Sequence, residues 1–114
     1  MAAPFEQIAE LDRVVHEPAR LAILTALAAC KGADFLFLQR LTGLTNGNLS
    51  SHLSKLEEAG FVMIEKEFVA KRPSTSVSLT RAGRSAIERH WIQLDKLRRE
   101  TRDWSPEKRS ERGW

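Results

Sequence analysis

A chain of 114 residues with a formal charge of +3 and a pI near 9.4 has the length of one domain with extensions, enough to bury a core. That charge is compatible with a polyanionic partner but too mild to require one. A single cysteine, Cys30, excludes an internal disulfide, no apolar run reaches the roughly 18 residues of a membrane span, and the N-terminus lacks a secretory pattern, so the chain reads as soluble and cytoplasmic.

The charge is unevenly spread. Residues 1–60 hold five Lys and Arg against seven Asp and Glu, whereas residues 61–114 hold thirteen against eight. Between Phe68 and Ile87 there are four cations, Lys71, Arg72, Arg81 and Arg84, and no acid.

In chain order, Pro4 opens a stripe of Phe5, Ile8, Leu11 and Val15 beside charged residues, which predicts an amphipathic helix over 4–15. Pro18 suits the first turn of a second helix, whose Leu21, Ile23, Leu24 and Leu27 make a broad apolar surface. Cys30, at the end of its alanine-rich run, reads as a small buried hydrophobe, and Gly32 as the left-handed residue after the helix. Phe35 to Thr42 is apolar enough to be buried, with Phe35 close to a short strand, and it ends at Gly43.

A connection of about three residues, Gly43 to Thr45, then leads into Thr45–Gly60, the spacing of two helices crossing at a tight turn. Leu49, Leu53 and Leu56 share one helical face, Thr45 fits the N-cap, Leu44 can staple against Leu49, and Gly60 with Phe61 fits the exit. The opposite face carries Gly47, Asn48, Ser50, Ser51, Ser54, Lys55 and Glu58. Ser, Asn and Gly cost helix propensity, so a face built from them is there for another reason. Short hydrogen-bonding side chains near a helix N-terminus allow close approach to a nucleic acid, and the terminal N–H groups attract phosphate.

After Gly60 the period changes to two. Residues 61–69 read as a strand with Val62, Ile64 and Phe68 on one side and Glu65 and Glu67 on the other; 76–80 reads as its partner, and 70–75 as a hairpin loop tipped by Lys71 and Arg72. Thr80 caps a final helix to Thr101, in which Ile87, His90, Leu94 and Leu97 recur in steps of three and four, widened by Trp91. The apolar surface of this helix exceeds what a small core can cover. Residues 102–114 are charged, contain Pro106 and have no period, which predicts a mobile tail outside a domain at 1–101; Trp104 and Trp114 within it need no special role.

Four stretches in this order, His16 to Leu24, Leu44 to Leu53, Lys55 to Val62 and Ser78 to Arg84, resemble the winged helix-turn-helix transcriptional regulators, particularly small ones akin to the MarR and ArsR groups. The resemblance covers about residues 5–100. It implies a mainly α fold with a small β-hairpin wing and a long C-terminal dimerisation helix, and a homodimer that binds double-stranded DNA to regulate transcription. DNA contacts then fall to Thr45, Asn46, Gly47, Asn48, Ser50, Ser51, Ser54 and Lys55 on the recognition helix, in the major groove, with Lys71 and Arg72 on the wing and Arg81 and Arg84 beside it on phosphate or the minor groove. The dimer interface falls to Phe5, Ile8, Val15, Ile87, Trp91, Leu94 and Leu97, and such regulators leave room for a small-molecule effector of unknown kind.

Departures from the family matter as well. Metal-sensing ArsR proteins carry a Cys-x-Cys pair or clustered acids and histidines, whereas Phe35–Leu41 has no cysteine and His16, His52 and His90 are scattered, so no metal or cofactor is expected. His52 reads instead as a hydrogen-bonded residue flanking the leucine face. An enzyme finds no support, since there is no phosphate loop, no paired Cys and His motif and no tyrosine. The competing reading is a winged-helix protein-interaction module without DNA binding; Glu58 on the recognition face favours it slightly and the basic wing opposes it.

Overall fold

Residues 4–102 are described by a computed structural model in which a 3-10 turn at Pro4–Ile8 precedes α1 (Pro18–Ala29), β1 (Ala33–Asp34), α2 (Phe35–Thr42), α3 (Asn46–Glu58), β2 (Val62–Val69), β3 (Arg72–Leu79) and α4 (Arg81–Thr101). Four helices and a three-stranded antiparallel sheet of order β1-β3-β2 make the α+β winged helix implied above.

Local chemistry sets most boundaries. Every helix is closed by a side chain at its N-cap: Glu17 accepts from the Arg20 N–H at 2.9 Å, Asp34 from Phe37 at 2.7 Å, Thr45 from Asn48 at 3.2 Å and Thr80 from Gly83 at 3.0 Å. Each satisfies an N–H that the first turn leaves over, worth about 1 kcal/mol. At its far end α3 stops in a Schellman motif, with Gly60 at φ 81° and the N–H groups of Gly60 and Phe61 donating to the carbonyls of Glu57 and Leu56. The core is shared by all layers: Ile23, Leu24 and Leu27 of α1, Leu38 of α2, Leu49, Leu53 and Leu56 of α3, Val62 and Val77 of the sheet, and Ala86 and Ile87 of α4.

Four local expectations are corrected. The helix expected over 4–15 is only the 3-10 turn, because the Asp12 carboxylate accepts from the Val14 and Val15 N–H groups at 2.8 and 3.3 Å and diverts the chain before a helix can propagate. Gly32 is not a left-handed helix stop; α1 ends at Cys30 in extended conformation, which carries the chain straight into β1, where Ala33 and Asp34 pair with Val77 and Ser76. Cys30 itself is half-buried. The hairpin loop expected over 70–75 is a two-residue turn, Ala70–Lys71, and Pro73 lies inside β3 opposite Phe68. Its missing N–H is tolerated because β1 reaches only Ser76 and Val77, so β3 has an open edge at Pro73.

The fourth correction concerns α4. Its expected interhelical stripe is largely covered by its own chain: Ile87 joins the core, His90 is 1% exposed, and Leu97 is buried where the N-terminal turn folds back, with Gln7 donating to Glu100 at 2.6 Å. The tail expected at 102–114 lies, apart from Arg102, outside the described residues, as do Trp104 and Trp114.

Candidate nucleic-acid interface

Burying three leucines of α3 fixes the opposite face outward. Thr45, Asn46, Gly47, Asn48, Ser50, Ser51, Ser54 and Lys55 are all exposed on it. From behind, the start of α1 steadies this helix. The Glu17 carboxylate, besides capping α1, lies 3.6 Å from His52 Nδ1 and 3.8 Å from Arg20 Nε. Burial works to raise the Glu17 pKa, but the N–H donors of Arg20 and Ala19 together with the charges of His52 and Arg20 outweigh it and hold the carboxyl below its ordinary value. His52 therefore flanks the leucine face as expected, but through an electrostatic contact, since its buried Nδ1 has no hydrogen-bond partner.

The structure divides the outward face in two. A cleft of about 680 Å³ runs between α3 and the sheet; Asn46, Ser50, Ser54 and Glu57 line its helix side, Ile64, Lys66 and Thr75 its sheet side, and Phe35 and Leu53 its floor. Gly47, Ser51 and Lys55, spaced by four, form the neighbouring row that does not line the cleft. Lys66 and Thr75 were not among the expected contacts. The signal was available in strand parity, because Lys66 stands two residues from both Ile64 and Phe68 and so shares their face, while Glu65 and Glu67 take the other.

Cations surround this surface without neutralising partners. Lys55, Lys66, Lys71, Arg72, Arg81 and Arg84 are exposed, and none makes an ion pair among the described residues. By contrast, Arg98 and Arg99 pair with Asp95, and Lys96 pairs with Glu100, at the far end of α4. Arg81 and Arg84 also stand in the first turn of α4, where the helix dipole disfavours a cation by about 0.3–1 kcal/mol at low salt. Helix stability does not explain their position.

One junction sets the spacing of the pieces. Thr80 accepts from the Gly83 N–H, donates its hydroxyl proton to the Gly60 carbonyl at 2.6 Å, and donates its backbone N–H to the Phe61 carbonyl at 3.0 Å. The exit of α3, the return of the wing and the start of α4 thus meet at a single residue. Gly83 is buried against this junction, and a Cβ there would overlap the Phe61 carbonyl oxygen and lie 2.8 Å from Leu79 Cδ1.

The expected dimer residues separate by burial. Val15 and Ile87 are wholly enclosed in the protomer's core and Leu97 is buried, which removes them from any surface open to a partner. Phe5, Ile8 and Trp91 are about half exposed, Leu94 is half-buried, and Ile92, not anticipated, is more exposed than any of them. Among the described residues no group of three or more His, Cys, Asp or Glu could hold a metal ion, and no helix is long and apolar enough to cross a membrane.

Residues 19–97 match the family model described as a winged helix DNA-binding domain. An uncharacterised protein of Methanocaldococcus jannaschii is 33% identical over 85 residues, 75% of this chain and 92% of that one. Among solved structures, a transcriptional regulator homologue from Pyrococcus horikoshii superposes with a TM-score of 0.78 at 32% identity, covering 87% of this chain and 99% of that one. A MarR-family transcriptional regulator from Silicibacter pomeroyi superposes with a TM-score of 0.61 at 25% identity over 95% of this chain and 73% of the other.

Proposed function

Since this chain belongs to the winged helix DNA-binding domain family, with the fold of MarR-like transcriptional regulators, we propose that it is a sequence-specific double-stranded DNA-binding regulator that works as a homodimer in the cytoplasm. The observation that carries the reading is the pairing of an exposed, short, mostly uncharged polar face on α3 with unpaired cations on the wing and at the start of α4. Ser51 and Lys55 are assigned to base edges in the major groove, where side-chain donors and acceptors discriminate base pairs, and Gly47 in the same row lets the helix approach closely. Thr45, Asn46, Asn48, Ser50 and Ser54 border that contact and position the helix, while Lys66, Lys71, Arg72, Arg81 and Arg84 bind phosphate. Residues 1–101 form the working domain in this reading, and 102–114 are an appendage to it.

In this reading Phe5, Ile8, Trp91, Ile92 and Leu94, all at least partly exposed, face a partner protomer. Two-fold pairing would present two recognition helices to successive major grooves, so the preferred site should be a pseudo-palindrome with half-sites about 10 base pairs apart or a multiple of that. Selection of the purified protein on a random duplex library, read by sequencing, tests the proposal. Enrichment of such a site supports it; binding of all duplexes alike removes sequence specificity, and binding of none at low salt leaves the protein-interaction module.

A further inference from the structure

The wing ends in an apolar tip that the phosphate contacts do not use. Phe68 is 77% exposed, the most exposed of the large apolar residues among those described, Val69 beside it is 56% exposed, and Pro73, paired with Phe68 across the hairpin, is exposed as well. Solitary exposed hydrophobes need no explanation, but this group has a direction. In antiparallel register, Ile64 pairs with Val77, Lys66 with Thr75 and Phe68 with Pro73. Directly paired residues share a face, so the row that begins in the core and lines the cleft beside α3 continues outward to Phe68 and Pro73. At about 3.3 Å per residue the tip stands about 13 Å beyond Ile64.

The tip is a tight turn. Ala70 and Lys71 both take left-handed conformations, φ 52° and 66°, in a two-residue turn without the glycine or asparagine that usually occupies such positions. Pro73 fixes its own φ one residue past the turn. On the tip itself the charge is positive: Lys71 and Arg72 adjoin it and no acid lies between Phe68 and Ile87, while the exposed Glu65 and Glu67 stand on the opposite face of the hairpin. The complementary surface is a polyanion with an apolar interior, and a duplex offers one in the minor groove, where deoxyribose and stacked base edges lie between two phosphate rows.

We propose that Phe68, backed by Pro73, is a wedge that enters the minor groove next to the major-groove site of α3 and opens a base step, while Lys71 and Arg72 hold the flanking phosphates. The inference rests on the DNA-binding reading and adds that the bound duplex is bent and that flexible pyrimidine–purine steps are preferred under the wing, at positions α3 never touches.

The test compares the full-length wild type with Phe68→Ala, Phe68→Leu and the double variant Lys71→Ala/Arg72→Ala on the selected duplex, reading affinity against salt and end-to-end distance by fluorescence transfer. The wild type should bend the duplex by about 20° or more. Phe68→Ala should bind about tenfold more weakly with an unchanged salt slope, lose the bend and lose the preference for a flexible step; Phe68→Leu should keep part of each. The double variant should flatten the salt slope and keep the bend. A straight wild-type complex, or a Phe68→Ala protein that binds and bends like the wild type, overturns the wedge while leaving the DNA-binding reading intact. Absence of any duplex binding by the wild type overturns both.

Discussion

Thr80 and Gly83 show how much of the interface hangs on single residues. Thr80 would pass for an ordinary N-cap, yet its hydroxyl and its backbone N–H also reach Gly60 and Phe61 at the exit of α3. Gly83→Ala should therefore cost about 3 kcal/mol, the upper end of overpacking, because the added methyl meets a backbone carbonyl that cannot rotate away. Thermal denaturation checks it, and a melting point within a degree or two of the wild type would mean the junction yields more easily than its geometry implies. His90 is the second such residue. Its buried ring lies 3.5 Å from His16 Nδ1, edge-on to Trp91, with Nδ1 unpartnered. Burial, then the charge of His16, lowers its pKa from 6.5, and Asp12 only partly opposes them. The folded state then binds fewer protons than the unfolded one, so this contribution to stability is present above about pH 6.5 and is lost as the pH falls through the lower folded value. Urea midpoints across that window should decline with acid, and His90→Leu should decline less. An equal decline in both proteins would assign the effect elsewhere; Glu17, whose pKa is also lowered, acts in a separate window below 4.5.

At the scale of elements, the recognition helix and the wing are expected to contribute differently. Lys71→Ala/Arg72→Ala should weaken binding to all duplexes and reduce the slope of log affinity against log salt by about one unit per lost phosphate contact per subunit. Ser51→Ala should leave that slope alone and change the order of preferred sites. Parallel salt titrations of the two variants decide the matter, and an unchanged slope in the double variant would remove the wing from the phosphate contact. Much of this division is legible in the residues alone: α3 has an N-cap, a leucine face and a left-handed exit written in consecutive positions. The wing is harder to read, because Pro73 and its neighbouring serines carry the composition of a loop, and only the open edge of β3 shows why they extend instead.

For the whole molecule, the homodimer proposal turns on what α4 leaves uncovered. Its apolar stripe is met largely from within, by the core at Ile87 and by the N-terminal turn at Leu97, so the proposed dimer contact is assigned to the residues that remain exposed. Trp91→Glu should give a folded monomer that binds an isolated half-site weakly and loses the spacing preference of the wild type. Sedimentation at micromolar concentration checks it, and a wild type that sediments as a monomer would end the homodimer proposal. The expectation drawn from the N-terminal and α4 stripes included Val15 and Ile87, which are enclosed within the protomer.

What the chain determined by itself was local or periodic. Caps at Thr45 and Thr80, the left-handed glycine at 60, the leucine spacing of α3 and the alternation of β2 each depend on atoms a few residues apart, so they can be read without knowing the fold. Tertiary structure decided what those surfaces meet. An amphipathic stripe states only that something apolar covers it, and whether that is the N-terminal turn, the core or a second protomer depends on chain reversals such as the one at Asp12. The division of the α3 face into a row along the cleft and a row beside it, the meeting of three elements at Thr80, and the outward continuation of the Ile64–Lys66–Phe68 row likewise exist only once strands and helices far apart in sequence are packed together.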